Sequence, residues 1–230
     1  MTRVDHLLVS VADLESARQR WADAGLPATE GGRHPGGTSN ALVRGPSPAY
    51  LELITAAPGS SSAVAQRVLG NPGPLSWALG VDHIDELRAS LVAAGHEPGE
   101  VHAGSRENPD GAVLRWRVCD LAVEPLHPFV PFLIEWETPM RAGPARGPVL
   151  QEVTIACPDP AALGDLLQVC GLHPGASQST WTDGEVTVRL EDGGEGIRSA
   201  RIALDAAPDD SVVLDGLLVE RRRHEAPPVT

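Results

Sequence analysis

Lysine is absent from the 230-residue chain, and all 18 of its cationic side chains are arginine. No lysine Schiff base can therefore form, and no P-loop lysine can reach a phosphate. Cysteine is scarce. Cys119, Cys157 and Cys170 are odd in number and not spaced as metal ligands, so a reducing, cytoplasmic setting is expected. No apolar run is long enough to span a bilayer, and no basic stretch leads into an apolar segment at the start of the sequence, so neither a membrane anchor nor a secretory signal is expected. Positive charge is also short: the net charge is −13, against nucleic acid and against anionic membranes. The basic run Arg221–Arg223, continuing to His224, reads as a strand end or solvated tail.

What is present is a unit written more than once. HLLVSVADLESARQRWADAG (6–25) aligns without a gap on SWALGVDHIDELRASLVAAG (76–95) at an offset of 70 residues, and on EVTIACPDPAALGDLLQVCG (152–171) at an offset of 146. In each copy a period-2 apolar segment leads into a helix. Asp13, Asp82 and Asp159 stand where an N-cap accepts free amides, and Gly25, Gly95 and Gly171 stand where a helix ends in a left-handed residue. Leu14, Ala17, Trp21 and Ala24 recur at helical spacing, as do Ile84, Leu87, Leu91 and Ala94.

Three short strands follow the first two helices. They read as 28–33, 39–44 and 49–54, then 100–105, 112–119 and 132–136. The unit is βαβββ and the fold class α+β. Residues 1–70 and 71–137 form a pair and residues 138–149 a linker. Residues 150–230 form a third, less regular module, in which 179–191 reads as a hairpin. The segment 198–204 is either its last strand or the first strand of a broken fourth unit.

Alternation sorts the strands into faces. Leu7, Val9 and Val11 face the helix, which leaves His6 on the other face with Val4, Leu8 and Ser10. In AYLELI, Leu51 and Leu53 face the helix while Tyr50, Glu52 and Ile54 do not. In FLIEW, Glu135 shares a face with Leu133, and Trp136 takes the opposite one. Ser10 has no visible His–Asp partnership, so a serine hydrolase is disfavoured. His83, His102, His127 and His224 read as surface or cap residues, and Cys157 and Cys170 as small core residues.

Tandem βαβββ units with His in a first strand and Glu in a last strand resemble the vicinal oxygen chelate superfamily. GGRHPGGTSNALVR followed by AYLELI, and later PFLIEW, resembles its glyoxalase-like domain proteins. The resemblance implies two units curling into a cupped mixed sheet, with helices outside and a metal or ligand inside. Four positions would meet there: His6, Glu52, Ser76 and Glu135. Ser76 departs from the family pattern, leaving His6, Glu52 and Glu135 as ligands of a divalent ion (Zn, Ni, Co, Mn or Fe), with Glu52 or Glu135 moving the proton. The competing arrangement pairs the glutamates with Arg44, Arg115 or Arg117.

The GGRHPGGT loop would line the cup mouth. His34 would act as an extra ligand or acid/base, Arg33 would hold a substrate carboxylate, and Asn40 would orient it, beside Tyr50 and Ser76. The glycine spacing fits neither a dinucleotide nor a P-loop motif. The function expected is a metal-dependent lyase or isomerase acting on a small oxygenated substrate through an enediolate. The alternative is a metal-free binding or drug-sequestering protein of the bleomycin-resistance kind. Because a third unit has no fourth to pair with, a homodimer is expected.

Overall fold

The computed structural model describes residues 1–140, 143–177, 179–205 and 209–223. The first unit comprises β1 (Arg3–Ser10), α1 (Leu14–Asp23), β2 (Ala28–Arg33), β3 (Thr38–Val43) and β4 (Tyr50–Ala56). A short helix, α2 (Ala63–Gly70), leads to the second unit of β5 (Gly73–Gly80), α3 (Ile84–Ala93), β6 (His102–Glu107), β7 (Val113–Asp120) and β8 (Phe132–Trp136). The helices start and stop as local chemistry dictates. Asp13 accepts from the Ser16 amide, and Gly25 and Gly95 end their helices at φ 78° and 89°. Asp82 does not cap α3: the N-cap is His83, which makes no capping bond, and Asp82 instead binds the N-terminal ammonium at 2.6 Å.

The expected cup is a closed barrel of eight strands in the order β1-β4-β3-β2-β6-β7-β8-β5. β1 pairs parallel with β4 and antiparallel with β5, and β5 pairs parallel with β8. The outward residues Leu7, Val9, Leu51, Leu53, Trp77, Leu79 and Leu133 join Trp21 of α1 and Ile84 and Leu91 of α3 in the main core. Inside the barrel Leu8, Ile54, Phe132 and Ile134 form a second cluster with Ala65 and Val68 of α2. The sequence reading assigns no element to α2. It is one short amphipathic stretch, started by Ser62 accepting from the Ala65 amide, and it packs on β4.

Alternation fails at one place in β1. The ladder to β5 shifts register between Val4 and His6, so that Asp5 is a bulged residue. Val4 therefore falls in the outer core, not on the face of His6, and Asp5 is buried beside the imidazole.

A second sheet holds the rest of the described chain. It contains β9 (Val149–Cys157), β10 (His173–Pro174), β11 (Thr180–Thr182), β12 (Thr187–Asp192), β13 (Gly196–Leu204), β14 (Asp210–Leu214) and β15 (Leu217–Arg223), with α4 (Pro160–Val169) packed on it. β11 and β12 form a hairpin, and β12 runs parallel to β9 as β4 does to β1. β13 is antiparallel to β9 as β5 is to β1, and parallel to β15 as β5 is to β8. The segment 198–204 thus lies where a fourth unit would begin. Only residues 205–209 separate β13 from β14, too few for a helix like α3. Leu150, Val153 and Ile155 of β9 share one core with the outside of the barrel. His224 lies outside the described residues.

Candidate functional site

The barrel encloses a cavity of about 530 Å³, within the ordinary range for a small-molecule site. Its polar groups come mainly from the first unit. His6, only 3% exposed, points inward from β1. Its Nδ1 lies 2.8 Å from Asp5 Oδ1, and Asp5 Oδ2 accepts from Trp136 Nε1 at 3.1 Å and lies 3.5 Å from Arg3. The bulge makes this pairing possible, because consecutive residues of a regular strand point to opposite faces. Tyr50 stacks on the His6 ring at 5.0 Å, and Phe132 meets it edge-on at 5.7 Å.

Glu52 faces the imidazole from β4, its Oε2 3.7 Å from His6 Nε2. That separation is too long for a hydrogen bond. Asn40 of β3 donates from Nδ2 to Glu52 Oε1 at 2.9 Å, while Asn40 Oδ1 is buried without a partner. Behind Asn40 the ladder of β2 shifts register between Glu30 and Gly32, and a Cβ on Gly31 would lie 2.1 Å from Asn40 Oδ1. Glycine is required there by the close approach, not by a turn. The turn itself is His34–Gly37, closed by the His34 amide donating to the Thr38 carbonyl.

His34 Nδ1 and Thr38 Oγ1 are 2.8 Å apart at the cavity mouth, and the ring meets Trp116 edge-on at 5.8 Å. Burial holds the His34 imidazole below its ordinary value; the charge of Glu52 opposes this and that of Arg106 adds to it. Burial pushes the Tyr50 phenol well up, with Asp5 and Glu52 acting in the same direction, so Tyr50 stays a neutral donor. The second unit supplies the apolar wall, with Trp116, Val118, Leu126, Phe132, Ile134 and Trp136, and one cation, Arg106 of β6.

Three expected site residues lie elsewhere. Glu135 is on the outer face of β8 with Leu133, and Trp136 faces inward. Glu135 accepts from Arg117 Nη1 at 3.0 Å, and Arg117 also holds Asp85 of α3. The reason lies in the ladders. Leu8 of β1 faces Glu52, Ala78 of β5 faces Phe132, and Leu8 and Ala78 correspond at the 70-residue offset. The counterpart of Glu52 is therefore Phe132, three residues before Glu135 and of the opposite parity. Ser76, fully buried, donates to the His127 carbonyl at 2.9 Å and does not line the cavity. Arg33 is exposed at the β2–β6 seam opposite Glu107 and lines a separate outer cavity. His6, Glu52, Asn40, His34 and Tyr50 are brought together.

Asp5 and Arg106 are missed by sequence reasoning. Nothing local announces a bulge in VDHLL, whereas alternation in HAGSRE does set Arg106 on one face with Gly104 and His102. His102, expected on the surface, is exposed but lines the cavity mouth.

Residues 4–170 match the family model described as a glyoxalase-like domain. The chain belongs to the glyoxalase-like domain family. No curated protein matches this glyoxalase-like sequence. Among solved structures, a hypothetical protein from Staphylococcus aureus is similar over 97% of this chain and 100% of its own, at 16% identity and a TM-score of 0.79. The Mn(II)-bound glyoxalase from Novosphingobium aromaticivorans is similar over 96% and 82%, at 12% identity and a TM-score of 0.62. A mutant 4-hydroxymandelate synthase from Streptomyces coelicolor is similar over 89% and 72%, at 13% identity and a TM-score of 0.55. These likenesses show that this glyoxalase-like chain shares the fold of those proteins.

The fold family implies a metal, so the donor set decides whether these residues fit one. Two of the four positions carry donors aimed inward, His6 Nε2 and Glu52 Oε2. Ser76 is turned to a backbone carbonyl, and the fourth position is Phe132. Among the described residues no group of three or more His, Cys, Asp or Glu side chains is placed to hold an ion. The glyoxalase-like site does not fit an ion held at all four positions.

Proposed function

We propose that this glyoxalase-like protein is an enzyme that moves a proton on a small oxygenated substrate, an isomerase, epimerase or lyase, with Glu52 as the general base. The observation that carries the reading is the facing of Glu52 Oε2 and His6 Nε2 across 3.7 Å at one wall of the cavity. Asp5 Oδ1 holds His6 Nδ1 at 2.8 Å, which leaves Nε2 turned toward the Glu52 carboxylate. An acidic C–H or O–H of a bound substrate placed against this pair meets the Glu52 carboxylate and the imidazole together. Asn40 fixes the orientation of Glu52, and Asp5 fixes that of His6. His34 and Tyr50 are neutral hydrogen-bonding groups beside them. The apolar wall excludes water from the reacting carbon and makes each polar contact stronger. No step here runs through a metal.

The test is deuterium incorporation from D₂O, followed by proton NMR, over a panel of 2-oxo acids, 2-hydroxy aldehydes and 2-hydroxy ketones, with metal content measured on the same preparation. The expected result is exchange at the carbon next to a carbonyl, lost by roughly 10²- to 10⁴-fold in Glu52→Gln. That variant should keep the wild-type melting temperature to within a few degrees. Exchange that survives Glu52→Gln overturns the assignment. So does a stoichiometric divalent ion that disappears in His6→Ala and carries the activity with it. Tight binding of panel members with no exchange favours the sequestering alternative, which the 530 Å³ apolar-walled cavity would also suit.

A further inference from the structure

Arg106 is 4% exposed, yet no carboxylate lies within ion-pair distance of it among the described residues. Its Nε is buried without a partner, and its Nη2 reaches only the Met140 sulfur at 3.9 Å. Arg44 Nη1 approaches the same sulfur at 3.7 Å. A neutral thioether does not compensate the Arg106 charge, and a buried cation without a counter-ion is strongly unfavourable. The backbone nevertheless makes room for this side chain. A Cβ on Gly32 would lie 2.1 Å from the Glu107 carbonyl oxygen and 2.9 Å from Arg106 Cγ, so a glycine of β2 lets both the β6 backbone and the arginine stem come close.

The other polar groups near Arg106 leave its charge unanswered. Tyr50, lining the same cavity, is kept a neutral O–H donor and has no hydrogen-bond partner among the described residues. The carboxylates lining the cavity are Glu52, tied to Asn40, and Asp120, which burial pushes toward its protonated form. Arg106 also borders a smaller cavity of about 270 Å³ that carries Glu30 and Asp110. Trp116, Phe132 and Trp136 offer carbon surface for the rest of a ligand.

We infer that the main cavity takes an organic acid whose carboxylate is held by the Arg106 guanidinium and the Tyr50 hydroxyl, its apolar part lying against the tryptophans. This deepens the proton-transfer reading by naming the substrate class, and its location rests on the same cavity. The missing counter-ion is then the ligand, and a guanidinium fork suits a carboxylate in two-point contact.

The experiment is calorimetric titration of the full chain with phenylacetate, phenylpyruvate and octanoate, each set against its uncharged amide. Wild-type protein should bind at least one acid roughly ten- to a hundredfold tighter than the matching amide, the span of a charge-assisted hydrogen bond. Arg106→Gln should erase that preference, and Tyr50→Phe should reduce it by less. Arg106→Met, which removes a buried unpaired charge, should melt no lower than wild type without ligand and should lose the protection that the acid confers. Equal binding of acid and amide by wild type, no binding of any of the three acids, or a preference that persists in Arg106→Gln each overturns the inference. Failure here is separable from failure of the catalytic assignment. Exchange on a neutral ketone without acid binding sinks only this inference. Acid binding that Glu52→Gln retains, with no exchange anywhere, sinks only the other.

Discussion

His34 is the residue whose behaviour the structure fixes most directly in solution. Burial lowers its affinity for a proton below the ordinary value of 6.5, so the unfolded chain binds the proton more readily than the folded one. The sign follows: the neutral ring contributes stability above pH 6.5, and that contribution is lost as the pH falls through the lowered folded value. Melting curves taken downward from pH 7.5 should therefore decline, and His34→Gln should flatten part of that decline. An unchanged pH profile in the variant would contradict the burial seen here. His127, lowered by burial as well, accounts for a share that remains. Much of the residue-scale picture was legible: His6, Tyr50, Glu52, Asn40 and His34 follow from period-2 alternation and from their loop. Glu135 did not, because five residues of FLIEW offer no way to tell which parity faces inward when both sets are apolar but one. The partner strand decides it, and register between distant strands is not written locally.

At the scale of elements, β2 is the strand most finely adjusted to the site. Gly31 allows the Asn40 side chain to lie against its backbone, and Gly31→Ala would drive a methyl into Asn40 Oδ1. The strand must bow or Asn40 must turn away from Glu52. The expected cost is about 1–3 kcal/mol of stability. It should be read as a lower urea midpoint with unchanged slope, together with weaker catalysis where a substrate has been found. A variant as stable and active as wild type would mean that Asn40 has another seat. The bounds of the strands and the three repeated helices are close to those the sequence suggests, since capping aspartates, terminal glycines and apolar spacing act within a few residues. The bulge at Asp5 and the α2 helix were not legible. One depends on a cross-strand mismatch with β5, and the other on an eight-residue segment whose helicity comes from the β4 face it packs against.

In the whole molecule, the second sheet is tied to the barrel unit by shared core and by polar bonds, among them Val4 N to Asp183, Arg221 to the Ala24 carbonyl and those of the β14–β15 turn. Asp215 and Gly216 form the β14–β15 connection at φ 45° and 82°, both left-handed, the pattern of a tight hairpin. Asp215 then accepts from Trp21 Nε1 at 2.8 Å and from Arg20 at 2.5 Å, both on α1. Asp215→Ala removes both bonds, leaves the buried indole N–H unpaired and puts alanine in a left-handed position. The expected loss is about 2–4 kcal/mol. Thermal unfolding should show it as a clear drop in melting temperature, and one cooperative transition should remain if the two sheets share one core. Two separated transitions in wild type would refute that sharing. The repeated strand-then-helix plan is visible as internal similarity in the sequence. Closure of the strands into a barrel is not, since it depends on how β2 meets β6 at a single pair, Arg33 and Glu107.

The cavity's two halves have divided its tasks. Asp5, His6, His34, Asn40, Tyr50 and Glu52 all belong to the first 52 residues, while residues 102–136 contribute Arg106, His102, Asp120 and most of the rings and aliphatic chains. A duplicated ancestor need not keep the same chemistry in each copy once both walls enclose one space. In the proposed reading the groups that move the proton lie on the earlier stretch of gene, and most of the surface that meets the rest of the substrate lies on the later one. Exchange of the later stretch with that of a relative would alter which compounds are admitted while preserving the groups that act on them.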